Sequence, residues 1–322
     1  MQKTLSVADL KTDQKISQVP FALKELELKT SQQNRPYYNV LLADKTGEVR
    51  ARIFPENFSA VDTNAKAGQI VVINGSVGEY LGKLQIVIES MQIATGMAPE
   101  EFLPITSRNR SEMMEDLMNE IQKVQNPHLK TLLEAFWQNQ ANRDMFSNYP
   151  AAEMVHHAYI GGLLEHTWEM YVLSKPFIKL YPQLDWDLLF TGLILHDIGK
   201  LEELEIVGAT IIRNTAGKLI AHISQGLLMV DRIVSGLPEF PLDLKNKLYH
   251  LILSHQGKLE FGSPIQPQTL EAMVLSFVDI NSAELNQAAK HIERNLFTGE
   301  EFTERHKWLG RGFYQKDFLK SS

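Results

Sequence analysis

The sequence predicts a multidomain β + α chain: a small closed β-barrel followed by an all-α domain with one inserted β-hairpin. Three observations lead there. Residues 16–95 break into short segments of alternating polarity separated by turn residues. From Ser111 onward apolar residues recur at helical spacing. Between the two lies a proline-bearing stretch without a period, residues 96–110. At 322 residues, with 44% hydrophobic and 22% charged side chains, the chain is long enough for two such parts and has the composition of a globular protein with a full core. The expected boundaries are 1–95 for the barrel, 96–110 for a linker, 111–300 for the helical domain and 301–322 for a basic and aromatic tail.

In the barrel part, Phe21–Lys29 alternates with period two, and Tyr38–Leu42 does so more loosely. Asp44-Lys-Thr-Gly47 supplies turn residues before Glu48–Phe54, so these two segments read as a hairpin. Gln69–Asn74 and Lys83–Glu89 make two more strands, joined across Gly75, Gly78 and Gly82. Five strands in so short a stretch suit closure, because an open sheet would leave its edges exposed. The OB-fold is the expected barrel. In the second part Ser111 is a candidate N-cap for a helix over 112–124, and Pro127 opens the next at its first turn. Further helices are expected at 151–174, 185–197, 223–236, 242–254 and 267–295. Leu204–Arg213 and Lys218–Ala221 flank Asn214-Thr-Ala-Gly217 and read as the inserted hairpin.

The chain has no cysteine, which excludes disulfides, thiolate metal sites and a cysteine nucleophile and suits a reducing cytoplasm. No signal peptide is visible in the first twenty residues, and no apolar run approaches the length of a membrane span, so a soluble cytoplasmic protein without a membrane partner is expected. The net charge of −7 argues against coating nucleic acid by bulk charge. It is unevenly spread: residues 1–95 hold 11 basic and 10 acidic side chains, the remainder 21 and 29.

The histidines carry the chemistry. Eight of the ten lie between His128 and His255. The helix Leu188–Lys200 is apolar nearly all round, yet it ends on His196 and Asp197; Asp279 repeats the pattern inside Ala272–Ile280. A buried ionised carboxylate costs several kcal/mol unless paired or metal-bound. A divalent cation supplies the missing charge, and imidazole with carboxylate suits a first-row transition metal or magnesium. His166, His196, His222 and His255 each sit near the end of an expected helix or strand. Taken singly, each reads equally well as a hydrogen-bonded core or surface histidine.

The ordered set His166, His196-Asp197, His222, His255 and Asp279 resembles the HD superfamily of metal-dependent phosphohydrolases, and His196-Asp-Ile-Gly-Lys200 matches its name-giving motif. The resemblance implies one metal on His166, His196, Asp197 and Asp279, and a second bridged by Asp197 and bound by His222 and His255. Some dinuclear relatives carry paired histidines where this chain has His255-Gln256, a weaker second ligand. The order of barrel, proline-bearing linker and HD domain, with His156-His-Ala-Tyr-Ile-Gly-Gly-Leu-Leu-Glu-His166, resembles the YhaM-type 3′→5′ exoribonucleases over nearly the whole chain. That resemblance implies removal of nucleoside monophosphates from the 3′ end of single-stranded RNA, with single-stranded DNA as a second substrate, and a homo-oligomer. The ligand set would accept Mn2+ first, with Mg2+, Co2+ or Fe2+ as alternatives, and one or two ions per chain.

Metals of this kind neutralise the phosphate, lower the pKa of water and steady the leaving oxygen. Asp197 is the expected catalytic bridge, and Lys200, one turn beyond His196, is the candidate for neutralising a phosphate oxygen; a solvated lysine at a helix end is the alternative. His156 and His157 are assigned structural roles. On the barrel, bases would stack on Tyr37, Tyr38, Phe54 and Tyr80 while Arg35, Arg50, Arg52 and Lys83 follow the phosphates. About half of these aromatics are expected to fill the barrel instead. In the tail, Arg305–Trp308 and Arg311–Lys316 either touch RNA or pack on the domain. Two other functions stay open: an HD hydrolase of small nucleotides, such as a nucleoside triphosphate or cyclic dinucleotide, and a non-catalytic single-strand binder with a structural metal.

Overall fold

Every second side chain of the N-terminal strands turns inward, and that alternation closes a barrel in the computed structural model. The structure describes residues 5–31, 33–80, 82–98, 101–296, 300–316 and 318. Pro99 of the expected linker and the end of the expected tail lie outside them.

The strands are β1 (Lys15–Thr30), β2 (Pro36–Asp44), β3 (Gly47–Ile53), β4 (Ile70–Tyr80) and β5 (Lys83–Ala94). They close in the order β1-β2-β3-β5-β4, with β3 and β5 parallel and the other neighbours antiparallel. This is an OB-type barrel. In β3 the inward Val49, Ala51 and Ile53 are buried while Glu48, Arg50 and Arg52 alternate outward. Phe21, Leu23, Leu42, Ile73, Ile86 and Met91 fill the interior. Closure gives each barrel strand two paired neighbours, which protects its edges.

A short hairpin that is late in sequence belongs to the same compact unit, which comprises residues 1–105 and 205–212. The Ala209 N–H donates to the Gly68 carbonyl at 2.9 Å, and Ala209 is buried in a small cluster with Ala22, Ala43, Ile70 and Phe102. The hairpin itself departs from expectation. Its strands are β6 (Leu204–Val207) and β7 (Thr210–Arg213), and the chain reverses at Gly208, whose φ of 59° suits glycine. Asn214, expected in the turn, instead accepts the Gly217 N–H at 2.8 Å and caps the following helix.

The second unit is helical, with α1 (Arg110–Lys123), α2 (Pro127–Gln138), α3 (Gln140–Asn148), α4 (Gly162–Leu180), α5 (Trp186–Leu195), α6 (Lys200–Glu203), α7 (Thr215–Ser235), α8 (Leu242–Ser254) and α9 (Leu270–Asn295). Asn109 rather than Ser111 caps α1, accepting from the N–H groups of Ser111 and Glu112. Pro127 stands in the first turn of α2 as expected. The helix expected over 151–174 begins only at Gly162. Before it the His157 carbonyl accepts the Ala151 N–H at 3.0 Å, and a Cβ on Gly162 would strike that same carbonyl. The backbone there is folded on itself and cannot continue the helix backwards. Asp185 caps α5 by accepting the Leu188 N–H, and α5 is buried nearly all round at the centre of the core. Among the described residues no helix is long and apolar enough to cross a membrane.

Candidate metal centre and barrel face

Helix ends and helix faces of the second unit bring the predicted side chains to one place. His196 follows α5 directly, and the turn His196–Gly199 leads into α6. His255 follows α8, His166 lies in α4, Asp279 lies in α9, and His222 follows a break in α7. The break is at Ala221, with φ 59° and ψ 161°, a conformation that is nearly glycine-only and costs of order 1–3 kcal/mol. Strain of that size, one residue before a candidate ligand, persists only where surrounding contacts hold it.

Asp197 is the hub. Its Oδ2 lies 3.2 Å from His196 Nε2 and 3.7 Å from His166 Nε2, while its Oδ1 lies 3.5 Å from His222 Nε2 and 3.6 Å from His255 Nε2. Asp279 Oδ1 is 3.2 Å from His166 Nε2. Two groups of potential ligands therefore share one carboxylate: His166, His196 and Asp197, and Asp197, His222 and His255. Lys200 Nζ lies 2.5 Å from Asp197 Oδ2 and the residue is only 7% exposed, so it is not a solvated helix-end lysine.

The tautomers are dictated by neighbours. Carbonyls can only accept, so Nδ1–H of His196 donates to Leu193 O at 2.9 Å and Nδ1–H of His255 to Ile252 O at 2.7 Å. Ser282 Oγ donates to Glu169 at 2.7 Å, which leaves it to accept from His166 Nδ1 at 3.0 Å. His222 Nδ1 faces Glu203 Oε2 at 3.1 Å. All four imidazoles thus turn Nε2 towards Asp197, the arrangement that metal-ligating histidines adopt.

Burial holds His166 well below the ordinary imidazole value and His255 down to about 4, keeping both neutral. Burial opposes charge on His196 too, but the adjacent Asp197 carboxylate raises it overall. Burial likewise opposes charge on Asp197, yet Lys200 and the imidazoles hold it well below the usual carboxylate range. The neutral rings of His166 and His255 beside an ionised carboxylate suit a cation. The decisive observation is that His166 Nε2, His196 Nε2 and Asp197 Oδ1 are buried without a hydrogen-bond partner. Three orphaned buried atoms on convergent donors fit a divalent metal.

Sequence reasoning missed the supporting residues Glu169, Ser282 and Glu203. A signal was present: they stand three positions after His166, Asp279 and Lys200, one helical turn along the same face. His157, expected to be merely structural, is fully buried with its Nε2 3.2 Å from Glu169 and belongs to the network that orients His166. Gln256 Nε2 lies 3.4 Å from His222 Nε2, beside the second ligand group. Because supporting partners of this kind are commonly worth 10–100-fold in metal affinity, Glu203→Gln is expected to weaken divalent-cation binding about that much. Calorimetric titration with manganese reads it, and unchanged affinity would make Glu203 irrelevant to His222.

On the barrel, the Arg52 guanidinium lies 5.0 Å from the Tyr37 ring centroid and 4.8 Å from that of Tyr80, which is half exposed. These three form one outward patch, consistent with the alternation along β3. Arg50 and Lys83 line a separate shallow groove with Leu41 and Glu48, and Arg35 is exposed. Phe54 is half-buried at the entry to the turn Pro55–Ala60. Tyr38 is partly buried: its ring packs edge-on against Phe58 at 5.0 Å and against the barrel core, because the pleat turns it to the face opposite Tyr37.

Two family profiles match the chain: an OB-fold nucleic acid binding domain over residues 24–94 and an HD domain over 163–284. The "3'-5' exoribonuclease YhaM" of Oceanobacillus iheyensis is 33% identical over 304 residues, covering 92% of each chain. The proteins of that name from Shouchella clausii and Listeria monocytogenes are 35% and 34% identical, covering 89% and 90% of this chain and 89% and 91% of their own. The chain belongs to the YhaM family. The match to these YhaM proteins spans both units, and the HD profile contains His166, His196, Asp197, His222, His255 and Asp279.

Proposed function

We propose that the protein is a metal-dependent 3′→5′ exoribonuclease that shortens single-stranded RNA to nucleoside monophosphates, and accepts single-stranded DNA, in the cytoplasm. The observation that carries the reading is Asp197, whose two oxygens each face two imidazole Nε2 atoms, with the exoribonuclease name of the YhaM relatives supplying direction and substrate. His166, His196, Asp197 and Asp279 would hold one ion, and Asp197, His222 and His255 a second; manganese suits this set, with magnesium, cobalt or iron as alternatives. Bound divalent ions supply neutralisation of the phosphate and activation of water near neutral pH.

The chain's own residues do the rest. The Nδ1 hydrogen bonds to Leu193, Ile252 and Ser282 hold three of the rings in one tautomer and orientation, and Glu203 faces Nδ1 of the fourth, His222. Lys200 sets a positive charge at the shared carboxylate, where an incoming phosphodiester brings negative charge. The patch of Tyr37, Arg52 and Tyr80 offers stacking surfaces with a cation between them, and Arg50, Lys83 and Arg35 offer further charge to a backbone. The whole enzyme is proposed to act as a homo-oligomer.

A 5′-labelled single strand incubated with the purified protein and manganese is expected to give a shrinking ladder, and a chelator to stop it. Metal analysis is expected to find up to two ions per chain. A strand left intact by metal-loaded protein, or shortened equally in excess chelator, would refute the reading.

A further inference from the structure

The candidate metal centre opens into a cleft of about 580 Å³ whose walls hold two aromatic side chains that the chemistry above does not use, Trp308 and Phe261. Both are largely exposed, at 61% and 55%. Large aromatics normally bury most of their surface, so two left open on the walls of one cleft point to a ligand.

Neither sits there by accident of a loose loop. The Thr303 N–H donates to Phe313 O at 2.8 Å, the His306 N–H to Arg311 O at 3.0 Å, and the Gly310 N–H to His306 O at 2.9 Å, so residues 303–313 form a closed turn. His306 Nδ1 accepts from the Leu309 N–H at 3.1 Å, inside the turn that carries Trp308. His291 of α9 donates to Glu304 O at 2.8 Å and ties the turn's base to the helix that also carries Asp279. Phe261 ends a one-turn helix, Leu259–Phe261, stopped by Gly262 at φ 94°. The buried Ser263 hydroxyl lies within hydrogen-bond reach of Leu253 O and Ile265 O and pins that segment to the end of α8. Each ring is therefore presented by a braced support.

The same cleft is lined by Asp197, Asp279, Lys200 and Arg213. A ligand there meets carboxylate and imidazole donors, two cations and two flat apolar faces. A nucleotide has the matching parts: a phosphate for the charged floor and a base for the rings. We propose that Trp308 and Phe261 are stacking platforms for the base of the 3′-terminal nucleotide, positioning its scissile phosphate at the metal centre and requiring that base to be unpaired. The inference rests on the exonuclease reading and adds the residues that select the strand end.

The test compares the wild-type chain with Trp308→Ala, Phe261→Ala, the double variant and Trp308→Phe. Two substrates are used: a 5′-labelled RNA and the same RNA with an abasic 3′-terminal nucleotide. Each alanine substitution is expected to raise KM for the intact RNA roughly 5- to 150-fold, the range for loss of one base–aromatic stack. Wild-type discrimination against the abasic end is expected to disappear in the double variant, and Trp308→Phe to restore most of it. In parallel, a strand ending in 2-aminopurine is bound with calcium in place of manganese, and its fluorescence is expected to be quenched by wild type and not by the double variant. Wild-type KM, abasic discrimination and quenching in the double variant would overturn the stacking platform. Intact RNA in the presence of wild-type quenching would instead overturn the exonuclease reading and leave the platform standing.

Discussion

Asp197→Ala is expected to lower strand hydrolysis by about four orders of magnitude, the scale seen when a residue common to the whole catalytic apparatus is removed. The reason is geometric: among the described residues no other carboxylate has its two oxygens between both pairs of imidazoles, so one substitution empties both candidate sites. Metal analysis should fall to background in Asp197→Ala, whereas His222→Ala should lose only the second ion. Removing Asp197 also strips Lys200 of its partner, and breaking a buried pair from one side destabilises by about 3–5 kcal/mol. Asp197→Asn is the control, because its amide oxygen still accepts from Lys200 while the negative charge is gone. Folded Asp197→Asn with undiminished activity would remove the carboxylate from the chemistry.

Gly199→Ala is expected to be nearly as damaging and for a different reason. A Cβ at Gly199 would run into the carbonyl of His222 and the amide of Gly226. Both are backbone atoms, so neither can swing aside as a side-chain tip would. Overpacking of this kind costs about 3 kcal/mol, roughly 10 °C in Tm for a unit of this size. Relief must come from displacing His222, whose backbone is already strained at Ala221. The variant should therefore lose the second ion before the first, readable as a stoichiometry near one with reduced Tm. A wild-type Tm with both ions retained would contradict the close approach.

Why some of this was legible in the chain and some was not follows from the range over which each signal acts. The barrel strands announce themselves by period two, since a strand with one buried face must alternate. The buried His196-Asp197 and Asp279 stand out because charge inside an apolar helix is expensive and rarely accidental. Residues whose role depends on a distant neighbour were only partly readable. The i+3 spacing puts Glu169 and Glu203 on the faces of His166 and Lys200, but nothing local says that they meet His157 and His222. Asn214-Thr-Ala-Gly217 has turn composition, but asparagine serves a helix cap equally well, and the competing reversal at Gly208 won. The expected start of α4 failed on a tertiary contact, the close approach of Gly162 to the His157 carbonyl. Tyr37 and Tyr38 differ only in parity, and parity follows from a register that a single strand does not reveal.

The hairpin tip at 205–212, which packs as part of the N-terminal unit, has a consequence for biosynthesis. Domains emerging from the ribosome commonly fold in order, first one and then the next. Here the first unit waits for a piece made about a hundred residues after its main body is finished, a delay of roughly 5–20 s at ordinary elongation rates. During that interval the cluster around Ala22, Ile70 and Phe102 lacks Ala209, and the nascent barrel carries an uncovered apolar spot until translation passes residue 212.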